Sequence, residues 1–415
     1  MTSFGVEWDT NVLVFLTGKK LPEGTLIKVP FYRNKENTVT MTLEPWHPKQ
    51  EDGCLVSLEV QFGPFESKDE KHFSVEEYRK SCGGFVELWK HIINSKKVQI
   101  GKTYYDILLY SKNGKFLDCA KTSAKTTHGI GYTDEFFLEN IAGTPQMTIG
   151  VELKYIISIF SNTSLLYDNI DKSIPNLSLL TVYQAYSTTG YYCADKGIRD
   201  LNIISFLILV VYYIFCVFIR KEDRKQTYTK AYFGFKIRTN YRIIYESIGS
   251  PEKEVREYLD YLEQNDNNML EIINQFRNDL FKPIEGYIIQ DYSSKRLLLS
   301  PLSIVKNNPT GNFKRVNVFP TWWARDLPEV IETDRTISFK QSPSFDFGEW
   351  TIGKNNIIYI EIRFIAQLLN TMNNSNINYN YIKIETLCGD VIPSIVEKFL
   401  NESLKVDPNI IIPSD

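Results

Sequence analysis

The side chains in this sequence with chemistry to offer are its cysteines, its histidines and 25 tyrosines. Cys54, Cys82, Cys119, Cys193, Cys216 and Cys388 are scattered, and none forms a CxxC pair, so a zinc site is not expected. His47, His72, His91 and His128 show no metal-ligand spacing either. Scattered cysteines are ordinarily small buried hydrophobes. As bridge-formers, Cys54, Cys82, Cys119, Cys193 and Cys388 are the candidates for a disulfide between subunits. Neighbouring carboxylates occur at Asp69/Glu70, Glu76/Glu77 and Asp134/Glu135, with nothing to pair them with a base. Thr126–Gly131 (TTHGIG) lacks the spacing and the Lys-Ser/Thr of a phosphate cradle and reads as a turn. No GxSxG, HExxH, P-loop, dinucleotide or kinase signature appears. The sequence therefore predicts a protein that is not an enzyme, with no catalytic residue, cofactor or metal.

Aromatic residues offer a different chemistry, that of contact surfaces. At 13% they are abundant, and Tyr buries a large ring while keeping a hydroxyl. The segment 231–245 (AYFGFKIRTNYRIIY) interleaves rings with basic groups. Read as a strand, it sets Tyr232, Gly234, Lys236 and Arg238 on one face and Phe233, Phe235 and Ile237 on the other. Such a face can stack single-stranded bases. Against that, 47 basic and 50 acidic side chains leave a net charge of −3, which gives no reason to expect nucleic acid. A solvated or subunit-contacting face is the reading. Tyr232, Tyr258, Trp322 and Trp323 are the candidate contacts between copies of the chain, since adjacent Trp rings point in different directions.

These residues must be held by elements, and the dominant one is Ile203–Ile219, IISFLILVVYYIFCVFI, closed by the charged run RKEDRK. A helix apolar all round must be buried, in protein or in lipid. The chain opens without a basic n-region and carries Glu7 and Asp9 where a secretory signal would be apolar, which favours protein. Before this helix, Cys54–Phe62 alternates with period two and predicts a strand, as do TLIKVPF and TVTMTL. Ser74 and Glu77 form a capping box for a helix over 74–94 interrupted by Gly83-Gly84, for which close packing or a kink are the options. A hairpin is expected around Asn113-Gly114. Gly190–Ala194 (GYYCA) echoes an immunoglobulin strand, but Ser187 stands where Asp is usual and no Trp lies between Trp89 and Trp322. Ser250-Pro251 starts a helix with the stripe Val255, Tyr258, Leu259, Leu262, and Asp390 starts a last one with Val391, Ile395, Val396, Phe399 and Leu404. The fold class is α+β: a helix-rich core around one buried apolar helix (203–219), with a strand-rich N-terminal region. The expected regions are 1–150, strand-rich with one helix (74–94); 151–285, a helical core; and 286–415, mixed α/β with a C-terminal helix.

In size, in its lack of a signal sequence and in its Tyr/Phe/Asn/Ile-rich composition, the chain resembles the polyhedrin-like occlusion-body matrix proteins of insect-infecting large DNA viruses, those of nudivirus type above all. The resemblance covers the whole chain as a profile and rests on no diagnostic motif. It implies a structural, self-assembling protein whose crystal lattice embeds and protects virions in the nucleus of the infected cell and dissolves in alkali. Its partners would be itself and the virions, with no nucleic acid and no membrane. The alternatives are a single-span membrane protein with 203–219 as its transmembrane helix, for which Asn162-Thr163-Ser164 and Asn176-Leu177-Ser178 would be glycosylation acceptors, and an enzyme without a recognisable motif.

Overall fold

Strands dominate the first 150 residues of the computed structural model and helices the next 130, which makes the fold α+β. The structure describes residues 2–17, 29–33, 38–45, 53–67, 69, 71–95, 97–100, 103–111, 142–168, 177–222, 234–265, 269–281, 304–306, 314–316, 331–333, 336–338, 352–373 and 382–405. The expected Asn113-Gly114 turn, the TTHGIG loop, Tyr232, Trp322, Trp323 and Cys119 lie outside them, as does the side chain of Cys54. Two compact units are present, and they are interleaved: one takes residues 3–148 and 365–399, the other 1–2, 149–364 and 400–415. This division cuts across the three consecutive regions read from the sequence.

In the first unit, strands β1 (Ser3–Thr17), β2 (Val29–Arg33), β3 (Val39–Pro45) and β4 (Gly53–Glu66) precede helix α1 (Glu76–Ser95), strands β5 (Lys97–Ile100) and β6 (Thr103–Ser111), and β7 (Ala142–Glu152). The strand order is β2-β3-β4-β1-β7, with β6 also pairing β1 and β5 pairing β6. Alternation decides what each face carries. Phe4, Val6 and Trp8 point to one side with Val60 and Phe62 of β4, and there Phe65, Phe73, Tyr78 and Phe85 complete a buried aromatic core. Tyr78 lies edge-on to Phe62 at 5.7 Å and to Phe65 at 5.7 Å, the geometry that the ring quadrupoles favour. A Cβ added at Gly83 or Gly84 would meet nothing within 4 Å, so the glycine pair in α1 is not there for close packing.

The second unit is built on the predicted apolar helix. Helices α2 (Ile156–Asp168), α3 (Leu177–Lys196) and α4 (Leu201–Glu222) are followed by strand β8 (Phe235–Ile237), α5 (Tyr241–Ser247), α6 (Glu252–Asn265) and α7 (Leu270–Phe281). Two short antiparallel pairs come next, β9 (Ile304–Lys306) with β10 (Lys314–Val316), and β11 (Ile331–Thr333) with β12 (Thr336–Ser338). β13 (Ile357–Ile362) pairs antiparallel with β8. Helix α4 is covered by protein: Leu207, Leu209, Val210, Val211, Tyr212 and Ile214 are fully buried. Phe206 meets Tyr241 and Tyr245, and Tyr213 meets Tyr241 and Phe276. Among the described residues no helix is long and apolar enough to cross a membrane. The stripe Val255, Tyr258, Leu259 and Leu262 of α6 is buried as its spacing predicts.

After β13 come α8 (Ile365–Asn373), β14 (Ile382–Lys383) and a helical stretch, α9, over 384–405. The sequence places the start of this last helix at Asp390, but it is helical from Ile384, and Asp390 lies inside a π-helical turn, Leu387–Val391. Burial of Ile384 and Leu387 extends the apolar stripe one turn earlier than the capping signal suggests.

Candidate functional site

The polar face of the second unit's short sheet brings together Lys236, Arg238, Glu361 and Arg363. Strand β8 turns Phe235 and Ile237 toward the helices, where Phe235 stacks on Phe160 at 5.3 Å, so Lys236 must point the other way. In the antiparallel register Glu361 of β13 stands directly opposite Lys236, while Ile360 and Ile362 face Ile237 and Phe235. Arg238 and Arg363 follow two residues on, on the same side. Their backbones are fixed by ladder bonds, Arg238 N–H to the Tyr359 carbonyl at 2.8 Å and Arg363 N–H to that of Gly234 at 2.9 Å.

Two devices hold this edge in place. Tyr212 of α4 donates its hydroxyl to the Phe235 carbonyl and accepts from the Phe235 N–H, both at 2.9 Å, so one phenol takes the place of a neighbouring strand. Gly234 lies under the Phe364 ring, and a Cβ there would approach that ring to 2.8 Å. Beyond Arg238 the Asn240 side chain accepts from the N–H groups of Arg242 and Ile243, capping α5 and ending the strand.

Glu361 is the centre of the group, with 3% of its surface exposed. It accepts from Arg363 Nε at 2.5 Å and pairs with an Arg238 terminal nitrogen at 3.2 Å. Burial pushes its pKa up, but the charges of Arg363, Arg238 and Lys236 and the Arg363 hydrogen bond outweigh burial and hold the carboxyl below its usual value. The carboxylate thus stays ionised and converges two guanidinium forks and an ammonium group on one patch. Guanidinium forks match phosphate and carboxylate oxygens two at a time.

A second polar group lies in the first unit, on the face of β1 and β4 away from the aromatic core. Glu7 stands opposite Gln61, and Asp9 opposite Glu59. Gln61 Nε2 donates to Glu59 at 2.7 Å and Gln146 Nε2 to Asp9 at 3.1 Å. Like charges directly opposite repel, and the two amides offset part of that. Strand β7 runs close beside β1 here, since a Cβ at Gly143 would collide with the Asp9 carbonyl. Among the described residues no group of three or more His, Cys, Asp or Glu could hold a metal ion.

The residues singled out from sequence are placed otherwise. Tyr258 is no surface contact: it is fully buried, with its hydroxyl 2.7 Å from that of Thr189 and its ring 4.6 Å from Tyr192, because it lies on the apolar stripe of α6. Cys82 and Cys388 are bridged within one chain, which corrects the expectation of a bond between subunits for this pair. Cys193 is buried and free. Lys236 and Arg238 share a face as the alternation predicts, but Lys236 is buried, which corrects the reading of that face as solvated. Glu361 and Arg363 were missed, although the alternation of IIYIEIR could have marked them as the polar side of a strand.

No known family model matches the chain, and no curated protein does. Two solved structures from Vibrio cholerae are similar: a mutant VgrG toxin ACD domain in complex with ADP and Mn++, and a toxin of the MARTX/VgrG family. Identities are 14% and 15%, the TM-score is 0.40 for both, and each match covers 67% of this chain and 85% of the toxin chain. The expectation that the chain is not an enzyme is withdrawn on this finding, since both neighbours are toxin proteins and one of them is bound to ADP and Mn++. At that TM-score the likeness carries no ligand or activity across to this chain.

Proposed function

We propose that this protein binds an anionic small molecule, bearing a phosphate or carboxylate group, at Lys236, Arg238 and Arg363. The observation that carries the reading is the buried, ionised Glu361, which holds both guanidinium groups on one side of the sheet. Holding two forks in fixed orientation removes part of the ordering cost of binding an oxyanion. Replacing Arg363 by Gln removes charge-assisted bonds of about 1.5–3 kcal/mol, so affinity for pyrophosphate should fall about ten- to hundred-fold. Competition with a fluorescent phosphate-bearing probe measures this. Equal affinity in the Arg363→Gln protein would overturn the assignment.

A second reading keeps the occlusion-body matrix, and the deep burial of tyrosines favours it. Tyr78, Tyr212 and Tyr258 are raised above their ordinary pKa by desolvation, and Tyr192 is pushed up to about 12. Such phenols make the folded subunit sensitive to alkali, as a matrix dissolving at high pH requires. Sedimentation of the expressed protein separates the readings: dense particles that clear only in alkali support the matrix, and a dispersed protein at neutral pH removes it.

A further inference from the structure

Within the first unit, Cys82 of α1 and Cys388 of α9 are joined although 306 residues apart in sequence, with Cα atoms 6.1 Å from each other. That separation lies within the usual range for a bridge. Three more contacts meet at the same place. The Tyr78 hydroxyl donates to the Leu387 carbonyl at 3.4 Å and lies 3.9 Å from the Cys388 sulfur, and Arg79 pairs with Glu397 at 3.1 Å. Arg79 and Glu397 are each about half exposed, and an exposed pair of this kind adds little. The Tyr78 bond is long. Leu387 and Val391, in the turn that lies against α1, are buried as well.

Cys388 sits inside the π-helical turn Leu387–Val391, and a second π-helical turn, Ile395–Leu400, follows. Wide turns of this kind are rare and persist where something fixes them. Upstream, the same segment forms β14, whose Ile382 and Lys383 pair with Gly143 and Ala142 of β7. Only Ile384–Thr386 separates that pairing from the wide turn.

We propose that the Cys82–Cys388 bridge is a redox-controlled clamp. Oxidised, it holds α9 in its wide-turn register against α1; reduced, it lets Leu387–Val391 relax and loosens the β14–β7 pairing. The reaction is a two-electron exchange with a dithiol. A thiolate of the reductant attacks Cys388, which is half-buried whereas Cys82 is buried, and the S–S bond breaks. The second thiol of the reductant closes its own disulfide, and two protons finish on the Cys82 and Cys388 sulfurs. This clamp is independent of the anion-binding reading, whose residues all belong to the other unit.

Hydrogen exchange on the full-length protein, with and without a dithiol reductant, tests it. Protection of amides in 382–399 should fall at least about ten-fold on reduction, and α4 should be unchanged. The Cys82→Ser protein should show the loosened pattern without reductant. Equal protection of 382–399 in both redox states overturns the proposal, as does titration of both thiols as free in air-exposed native protein. The reductant arm needs no variant, so a Cys82→Ser chain that fails to fold leaves the test intact.

Discussion

Glu361 shows how one residue can set the chemistry of several. A carboxylate so buried would ordinarily take up a proton, and it stays charged because Arg363, Arg238 and Lys236 surround it. Replacing it by Gln should leave those cations to repel one another, with a loss of about 3–5 kcal/mol in urea unfolding. A change below about 1 kcal/mol would mean that the guanidinium groups are held by other partners. Half of this group was legible in the sequence. Lys236 and Arg238 announce themselves by alternating with Phe235 and Ile237, but no local pattern reveals that Glu361 will lie opposite Lys236. That register is a long-range fact, decided by β13 pairing with β8. Tyr258 shows the opposite error. Its hydroxyl suggests a contact, whereas its place in the stripe Val255, Tyr258, Leu259, Leu262 already requires burial.

Among the elements, helix α4 organises the second unit and finishes its sheet. Its lack of a polar face was plain from composition, and its burial in protein is provided by Tyr241, Tyr245 and Phe276 packed against Phe206 and Tyr213. Its second task was not legible. Tyr212 occupies the N–H and carbonyl of Phe235 that no strand among the described residues pairs, so Tyr212→Phe leaves two buried backbone groups unsatisfied. The cost should be about 2–6 kcal/mol at about 1–3 per group, read from the shift of the urea midpoint at unchanged slope. A loss under about 0.5 kcal/mol would show that Phe235 finds other partners. Leu209 lies in the middle of the same helix and is fully buried. Leu209→Arg buries a charge without a counter-ion and should prevent folding, seen as loss of soluble, cooperatively melting protein. A folded Leu209→Arg chain would contradict the burial of α4.

At the scale of the whole chain, the tyrosines link structure to pH. A phenol whose folded pKa is raised contributes its full stability below the unfolded value near ~10, and the contribution is lost as pH rises toward the folded value. For Tyr192 that window closes at about 12, and for Tyr78, Tyr212 and Tyr258 the fold resists ionisation further still. Stability should therefore fall steadily above pH ~10, with tyrosinate absorbance at 295 nm appearing together with loss of helix signal. Full tyrosinate absorbance while the helix signal is intact would contradict the burial described. The α+β class and the order of most elements were readable from sequence, because period and caps are local. Interleaving of the two units was not, since the return of residues 365–399 to the N-terminal unit depends on partners at Tyr78 and Cys82 far upstream. The proposed binding of an anionic ligand is tested most directly by calorimetric titration of the purified full-length chain with pyrophosphate at low and at physiological salt. Saturable binding that weakens with salt and with Arg363→Gln is the predicted result, and the absence of any heat of binding at low salt would contradict it.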